Sequence, residues 1–450
     1  MKKTFRMAVS MLLVLVMALS VCLVPAFAAT GVRTSKNQYN TYLVIGDSIA
    51  AGYGLNCQED DPYTWGNQMA VHHGEIVPNS YASLVSKATG SNVINSARES
   101  FTASVYLRML DPEYEEWICQ PENYYDRFLS EVAYFTPKAF MGTDDIPELQ
   151  ENMVQYVKEA DVITINLGNN DIVTNSMMDA MYRTLYYAFG MEMQPVMTAL
   201  RGEFQMIDSL TDLFSMVGSY QLYSSAVETN TKKYKQNYER LIKRIYELNP
   251  DVELYYLGMY NSFAEVEPQD DAIVSWLRTD GDRLAKELKT FVTKQSKYRN
   301  KVNFVDVSDA EVWPTDTVYS PQFMMAFVLH SHPDFNGHRY IANQIIASMN
   351  KNGKGNSMPS LTKKNGTWGV YNKDGSLRST YIGLAKKSNG TVYYIRNGKI
   401  AGSYSGIVSW HSKQYYIKSG RWRSDYSGTI STSSKKYTIK DGIVVKTTSK

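Results

Sequence analysis

The stretch YLVIGDSIAAGYG, residues 42–54, begins as an apolar run and changes at Gly46-Asp47-Ser48 to small and polar residues. A short apolar run that ends in such residues predicts a buried strand followed by a turn. Gly, Asp and Ser are common in ordinary turns, so the tripeptide alone assigns no function to Ser48. A hydroxyl at the carboxyl end of a buried parallel strand would, however, lie where α/β proteins bind their ligands.

Four further apolar runs, at 92–95, 161–168, 252–258 and 302–307, have the length and composition of buried strands. Amphipathic stretches separate these runs, and the clearest of them are residues 230–249 and 270–295. Alternating strands and helices predict a doubly wound α/β/α sandwich of the flavodoxin-like type, with a parallel sheet. Ser48 then follows the first strand, at the edge of the sheet where ligands bind.

The first 28 residues have the features of a signal peptide. Basic residues at positions 2, 3 and 6 precede an uncharged, mostly apolar stretch at 7–24, and Ala26-Phe27-Ala28 provides a small-x-small cleavage site. The alternative is a membrane anchor, but the cleavage site favours removal of this segment. We therefore expect a secreted protein, with no transmembrane anchor after processing, because no later segment is apolar enough to cross a bilayer.

Cys57 and Cys119 are the cysteines that remain after this processing. Two cysteines could pair in an oxidising exterior or stay free, and the sequence leaves both alternatives open. They do not make a disulfide scaffold or a metal site, and the chain has no metal-ligand spacing and no nucleotide-binding glycine loop. We expect neither a metal nor a cofactor.

The charge is distributed unevenly along the chain. The net charge of +2 combines −14 for residues 1–350 with +16 for residues 351–450, where 19 Lys and Arg face three Asp and Glu. Two regions of opposite charge indicate two regions with different roles. We divide the chain into an α/β domain at 30–350, a linker at 351–366 and a basic module at 367–450.

Two segments of the α/β domain have the character of insertions. Residues 55–80 are polar, and residues 175–228 are rich in Met, Tyr and Leu. The second segment predicts helices that either cover the site or belong to the core, because apolar stripes of this composition occur in both.

The basic module is repetitive. The stretches VYNKDG, YYIRNG, YYIKSG and YTIKDG place glycines at 375, 398, 420 and 442, and YIGL, YSGI and YSGT recur between them. An aromatic repeat of this length, closed by Asn-Gly or Asp-Gly in most copies, predicts stacked β-hairpins.

A serine hydroxyl needs a base to remove its proton and donors to receive the oxyanion before it can act as a nucleophile. Of the six histidines, His72 and His73 lie in the polar insertion and His411 lies in the repeats. The other three lie in LHSHPDFNGHRYIANQI (329–345), which directly precedes and includes the start of the last predicted helix.

At this point residues 40–350 resemble the SGNH or GDSL hydrolases, through four blocks in order. IGDSIAAGYG (45–54) matches the block of the nucleophile, and LGNND (167–171) matches the block of the oxyanion-hole asparagine. INSARESFTASVYLRMLD (94–111) matches the block that normally carries an oxyanion-hole glycine, and HPDFNGHRYIA (332–342) matches that of the catalytic histidine. The resemblance implies Ser48 as nucleophile, His332 as base, and Asn170 and the Ser100 N–H as oxyanion donors.

The chain departs from this family in two places. Ser100 stands where the family has glycine, so the donor is retained while the backbone conformation is in question. Leu329 stands where the family often has an Asp that orients the histidine. His332 would then be held by a backbone carbonyl, by water, or by a carboxylate such as Asp306 or Asp309.

The repeats resemble the aromatic cell-wall-binding or glucan-binding repeats of secreted proteins from Gram-positive bacteria. Choline-binding repeats usually have Gly-Trp, but Leu, Ile and Thr follow Gly383, Gly406 and Gly428. The tryptophans and paired tyrosines would stack on sugars, and the +16 charge suits anionic wall polymers. The alternative is a spacer without a ligand. We expect no nucleic-acid partner, because no nucleic-acid-binding motif occurs.

The sequence thus predicts a secreted serine esterase that is held at a cell wall or glycan by its C-terminal repeats. The expected substrate is a carboxylic ester, with O-acetyl groups on carbohydrate preferred. Two alternatives stay open: a lipase or lysophospholipase, and a non-catalytic wall-binding protein whose hydrolase domain has decayed.

Overall fold

A computed structural model describes residues 31–55, 76–118, 146–176, 179–180, 220–264, 272–313, 331–355, 358–372, 374–411 and 413–449. The predicted signal peptide, both mature cysteines, and most of the two predicted insertions lie outside the described residues. From Thr34 onward the chain forms one compact unit.

The α/β domain contains a parallel five-stranded sheet. Its strands are β1 (Thr41–Gly46), β2 (Asn92–Asn95), β3 (Val162–Asn166), β4 (Glu253–Leu257) and β5 (Val302–Val305). Their order is β2-β1-β3-β4-β5, which is the flavodoxin-like arrangement. The predicted fold is confirmed, and each predicted strand is present with its ends shifted by at most two residues.

Eight helices are described in this domain. They are α1 (Ser48–Ala51), α2 (Tyr81–Thr89), α3 (Ala103–Leu110), α4 (Pro112–Ile118), α5 (Ile146–Glu159), α6 (Tyr220–Leu248), α7 (Ala272–Thr290) and α8 (Phe335–Asn352). Two π-helical turns, Asn169–Thr174 and Phe291–Gln295, lie after β3 and α7.

Helix α6 begins ten residues before the stretch predicted from its pattern. Tyr223 and Val227, which belong to the segment predicted as an insertion, are buried in the same core as Tyr234 and Tyr238. These residues follow one another at helical spacing, so the buried face of the helix extends further towards the N-terminus than the sequence pattern predicts.

The C-terminal module is built from antiparallel hairpins. Its strands are β6 (Thr362–Lys364), β7 (Thr367–Gly369), β8 (Gly383–Lys386), β9 (Val392–Arg396), β10 (Lys399–Ile400), β11 (Gly406–Trp410), β12 (Lys413–Lys418), β13 (Arg421–Trp422), β14 (Gly428–Ser431), β15 (Lys435–Lys440) and β16 (Ile443–Ser449). The predicted hairpins are therefore present. Strand β6 lies within the stretch predicted as a linker.

The hairpin turns explain the glycine repeat. Three turns have positive φ at both central residues. The first residue, Asn397, Ser419 or Asp441, has a φ of 51°, 50° or 51°, and the glycine that follows each has a φ of 73°. Positive φ at both central residues is the type I′ geometry, whose twist matches that of the flanking strands. Glycine is favoured at the second position because it adopts this conformation without steric cost.

A buried carboxylate fixes the module against the α/β domain. Glu159, at the end of α5, is 1% exposed. It accepts hydrogen bonds from the backbone N–H groups of Ser379 at 2.8 Å and Thr380 at 2.9 Å, and from the Thr380 hydroxyl. The Arg378 guanidinium also pairs with Asp161 at 3.3 Å. We call this contact region, residues 158–161 with 374–380, the junction.

Candidate active site

Gly46, Asp47 and Ser48 each have a different structural role at the end of β1. A Cβ on Gly46 would lie 2.3 Å from the Cβ of Ala50 and 3.0 Å from the Asn166 carbonyl oxygen, so only glycine allows α1 to pack this closely on the sheet. Asp47 is the N-cap of α1 and accepts the Ile49 N–H at 3.0 Å. Ser48 is then the first helical residue, at the carboxyl end of β1.

Ser48 and His332 are brought together by the fold, although 284 positions separate them. The Ser48 Oγ lies 2.7 Å from the His332 Nε2. This is the distance of a hydrogen bond between a nucleophile and its base. In this geometry the imidazole can accept the hydroxyl proton.

The loop that carries His332 is held on both sides by backbone contacts. The Trp313 N–H donates to the His332 carbonyl at 3.3 Å, and the Asp334 N–H donates to the Glu311 carbonyl at 3.1 Å. Asp334 also caps α8 by accepting the Gly337 N–H at 2.8 Å. These contacts anchor the loop between the segment after β5 and the start of α8.

Two tyrosines contact the same loop. The Tyr53 ring lies 4.5 Å from the His332 ring, centre to centre, and the Tyr260 hydroxyl donates to the Ser331 carbonyl at 2.6 Å. His332 is itself buried, with 6% of its surface exposed. Packing and hydrogen bonds together restrict the orientation of the imidazole.

The Nδ1 atom of His332 lies 3.2 Å from the Ser331 Oγ. Leu329 lies outside the described residues. Asp306 is engaged by Lys289 at 2.6 Å, and Asp309 accepts the Tyr340 hydroxyl at 3.1 Å. Neither of these two carboxylates is hydrogen-bonded to His332, and the Ser331 hydroxyl lies within hydrogen-bond distance of the ring's second nitrogen.

The Asn170 side chain is fixed by both of its polar atoms. Its Oδ1 accepts the Thr174 hydroxyl at 3.0 Å, and its Nδ2 donates to the Phe101 carbonyl at 3.2 Å. One N–H of the amide group is therefore left for a ligand. Asn170 lies in the lining of the same cavity as Ser48 and His332.

Ser100 adopts the conformation that glycine would favour. Its φ is +61°, in the left-handed region, so the serine keeps the backbone course expected of the family's glycine. The segment that follows it is tied to the site twice, by Asn170 through the Phe101 carbonyl and by Asp171, which accepts the Ala103 N–H at 2.9 Å. The two neighbouring residues of the π-helical turn thus position the Ser100 segment.

Two buried carboxyl groups lie beneath the site. Burial, against the opposing Ile49 N–H hydrogen bond and together with repulsion from the nearby Asp171, raises the pKa of Asp47 to about 7. Burial likewise raises the pKa of Asp171 to about 7, against the hydrogen bond from the Ala103 N–H. Both groups are therefore held partly protonated near neutral pH.

The remaining described histidines have structural positions. His338 is fully buried and accepts the Tyr81 N–H at 3.2 Å through Nδ1, and burial followed by repulsion from His332 lowers its pKa to about 3. His411, in the C-terminal module, lies between the Thr89 carbonyl and the Asn40 side chain of the α/β domain. In the described part of the chain, no group of three His, Cys, Asp or Glu residues is arranged to hold a metal ion.

A cavity of about 160 Å³ opens at the Ser48–His332 pair. One part of its lining is apolar and includes Val173, Met259 and Leu284, and another part is polar and includes Asn169 and Thr174. The pair is therefore accessible to a small molecule with one apolar and one polar part.

The comparison with family models agrees with this geometry. Residues 42–345 match the model described as GDSL-like lipase/acylhydrolase, which is more than half of the chain. The chain belongs to the GDSL-like lipase/acylhydrolase family. It is accordingly an ester hydrolase, and the family match spans both Ser48 and His332.

Solved structures were also compared with this GDSL-family chain. An extracellular lipase from Streptomyces rimosus is 11% identical, with 70% of this chain and 99% of that chain covered, at a TM-score of 0.38. A family two carbohydrate esterase from Clostridium thermocellum is 14% identical, with 71% of this chain and 65% of that chain covered, at a TM-score of 0.30. An acetylxylan esterase from Geobacillus stearothermophilus is 13% identical, with 70% of this chain and 96% of that chain covered, at a TM-score of 0.30.

Likenesses at this level do not identify a substrate for the GDSL-family chain. None of the curated proteins matches the sequence. No helix among the described residues is both long enough and apolar enough to cross a membrane.

Sequence reasoning missed several residues that shape this site. The capping role of Asp47 has a recognisable signal, since Asp directly before a short helix is a common N-cap. Tyr53 and Asp171 lie inside matched blocks and Tyr260 lies outside them, but the contacts of all three have no sequence signal because they join segments that are distant in sequence.

Proposed function

We propose that this ester hydrolase is a secreted serine esterase that removes O-acetyl groups from carbohydrate. The observation that carries the proposal is the Ser48 Oγ–His332 Nε2 distance of 2.7 Å at the mouth of a small cavity. The predicted signal peptide supports export, and the C-terminal repeats support attachment to a cell wall or glycan.

In the proposed reaction His332 takes the Ser48 proton while the Ser48 oxygen attacks the ester carbonyl. The oxyanion receives hydrogen bonds from the N–H groups of Ser48 and Ser100 and from the Asn170 side chain. Ser48 is the first residue of α1, where N–H groups have no acceptor within the helix. The imidazolium then protonates the departing alcohol, and water hydrolyses the acyl-enzyme with His332 again as base.

The size of the cavity supports a short acyl group. A closed cavity of about 150 Å³ can hold a molecule of benzene's size, so this open cavity of about 160 Å³ has room for a short acyl group. An acetyl group fits with space for part of the alcohol. The apolar lining at Val173, Met259 and Leu284 is the observation that favours the second candidate, a lipase or lysophospholipase.

The structure of the module changes the basis of the wall-binding proposal. Trp410 and Trp422 are partly buried and pack against Tyr415, and the Lys387 ammonium lies 4.2 Å from the centre of the partly buried Trp368 ring. Packing within the hairpins therefore takes up part of each of these tryptophans, and the rest of each side chain is exposed to solvent. The +16 charge is the stronger support for an acidic wall polymer as partner.

Hydrolysis of p-nitrophenyl esters from acetyl to dodecanoyl tests the proposal, with the full chain measured beside Ser48→Ala. We expect acetyl ester hydrolysis that Ser48→Ala abolishes without a change in thermal unfolding, and that falls at acid pH because protonated His332 cannot accept the proton. Acetylated xylan then tests the carbohydrate substrate.

The alternatives give different results in the same assay. Preference for acyl chains of eight carbons or more would identify a lipase. Equal inactivity of both proteins on every ester and on acetylated xylan would leave the non-catalytic wall-binding alternative.

A further inference from the structure

The second ring nitrogen of His332 decides which tautomer the imidazole adopts. A neutral imidazole carries its hydrogen on one nitrogen, and the other nitrogen is then an acceptor. The His332 Nε2 lies 2.7 Å from the Ser48 Oγ and has to accept the Ser48 proton if Ser48 is the nucleophile. The hydrogen of the resting ring must therefore be on Nδ1.

The Ser331 hydroxyl lies on this side of the ring. Its Oγ is 3.2 Å from the His332 Nδ1, which is within the range of an N–H···O hydrogen bond. A hydroxyl can donate as well as accept, so the direction of this bond follows from Ser48, whose proton Nε2 has to take. The imidazole then donates from Nδ1, and the Ser331 oxygen accepts.

The backbone of Ser331 and His332 is held by two other segments. The Tyr260 hydroxyl donates to the Ser331 carbonyl at 2.6 Å, and the Trp313 N–H donates to the His332 carbonyl at 3.3 Å. With both carbonyl groups held, the distance between the Ser331 Oγ and the His332 Nδ1 depends mainly on the rotamers of two neighbouring side chains.

Packing restricts the rotamer of the imidazole. The Tyr53 ring lies 4.5 Å from the His332 ring, centre to centre, and His332 is buried. A ring held in this orientation keeps Nε2 towards Ser48 and Nδ1 towards Ser331. The hydroxyl therefore has a fixed acceptor position on the side of the ring that faces away from the nucleophile.

A hydroxyl and a carboxylate differ in what they do for the ring. Both can accept the Nδ1 hydrogen and so fix the tautomer, but only a carboxylate adds a negative charge that stabilises the imidazolium. Asp306 is engaged by Lys289, and Asp309 accepts the Tyr340 hydroxyl. The Ser331 hydroxyl thus supplies orientation without charge.

We propose that Ser331 is a positioning residue for ester hydrolysis, whose hydroxyl accepts the Nδ1 hydrogen of His332 and holds the ring in the tautomer that takes the Ser48 proton. Nε2 takes that proton and passes it to the departing alcohol, while the hydrogens on Nδ1 and on the Ser331 hydroxyl stay in place. The same bond orients the ring when water attacks the acyl-enzyme. This inference rests on the proposed Ser48–His332 mechanism.

Kinetics of three serine variants on p-nitrophenyl acetate test the inference. Ser331→Ala removes the acceptor, and Ser331→Thr keeps a hydroxyl at this partly exposed position. The matched control is Ser308→Ala on the segment after β5, where the lost hydroxyl donates to Asp306 at 2.8 Å. Thermal unfolding checks that each variant is folded.

We expect Ser331→Ala to lower kcat about 2–12-fold and to leave KM within about twofold, because a hydrogen bond that orients the base is lost while substrate contacts stay. Ser331→Thr should restore kcat to about the wild-type value. Ser308→Ala should have the kcat of the wild type, because its hydroxyl does not face His332.

Nitrogen NMR of the histidine rings gives a readout that a merely structural role would not move. Isotope-labelled histidine is observed above neutral pH, where imidazole is uncharged, and the His332 signal is assigned by its loss in His332→Gln. The wild type and Ser331→Thr should carry the hydrogen on Nδ1. Ser331→Ala should lose this preference.

The outcomes separate this inference from the proposed function. Unchanged kcat and an unchanged tautomer in Ser331→Ala would overturn the positioning role, while activity that Ser48→Ala abolishes would still support the esterase. A wild-type ring with its hydrogen on Nε2 would overturn it as well, and so would equal losses of kcat in Ser331→Ala and Ser308→Ala. Inactivity of the wild type on every ester would overturn the proposed function and this inference with it.

Discussion

Removal of the Asn170 amide group is the sharpest test of the proposed oxyanion site. The structure fixes this group by two hydrogen bonds, from the Thr174 hydroxyl at 3.0 Å and to the Phe101 carbonyl at 3.2 Å. One N–H stays available in a set orientation. Loss of one such oxyanion donor typically lowers kcat by about 10²–10³.

We expect Asn170→Ala to lower kcat on p-nitrophenyl acetate by about 10²–10³ and to change KM little, because the oxyanion forms only on the way to the intermediate. Asn170→Asp should lose at least as much, since a carboxylate places negative charge beside the developing oxyanion. Thr174→Val keeps the donor but releases one hydrogen bond that orients it. About 0.5–1.5 kcal/mol is then lost, which corresponds to a roughly 2–12-fold decrease.

Steady-state kinetics of these three variants measures the loss in kcat, and thermal unfolding is the control that each variant is folded. The reasoning is refuted if Asn170→Ala keeps kcat within about threefold of the wild type while Ser48→Ala is inactive. The amide group would then hold the Phe101 loop without receiving the oxyanion.

Three further substitutions test other parts of the structure. Because burial raises the pKa of Asp47 to about 7, the native state binds its proton more tightly than the unfolded state. Asp47 alone should therefore lower wild-type stability by up to about 4 kcal/mol between pH 4 and 8, so urea unfolding of Asp47→Asn should show a smaller decrease than the wild type. Ser100→Gly should leave kcat within about threefold of the wild type. It should change the free energy of unfolding by no more than about 1 kcal/mol, because relief of the left-handed strain is offset by greater freedom of the unfolded chain. A tenfold rise in kcat would show that the serine side chain obstructs the site. Glu159→Gln should destabilise the chain by about 1–3 kcal/mol in calorimetry through its bonds to Ser379 and Thr380, while Glu151→Gln on the exposed face of the same helix should not.

The parallel strands were predictable because β1, β3 and β4 are buried along almost their whole length and the edge strands β2 and β5 are partly buried. Such strands are short continuous apolar runs, and the runs at 42–46 and 92–95 differ from the observed β1 and β2 by no more than one residue. Helix α6 was predicted too short, because its first turns face a core whose other wall is formed by distant segments. Local sequence patterns predict a helix or strand most reliably where segments distant in sequence do not change which of its residues are buried.

Ser48, His332 and Asn170 were predicted from motifs, and the tertiary structure adds what holds them. The orientation of His332 depends on Tyr53, Tyr260 and the pairing of its loop with the segment after β5. None of these contacts has a sequence signal, since each joins segments that are far apart in the chain.

By itself the sequence determined the parallel α/β fold, the hairpin repeats, and the residues offered for ester hydrolysis. Burial periodicity and turn chemistry are local properties, so they can be read along the chain. Only the tertiary structure decided that Ser48 and His332 lie 2.7 Å apart, that two carboxyl groups are buried beneath them, and that the module docks through Glu159. Those features depend on distances between residues that are remote in sequence, and only the packed chain fixes such distances.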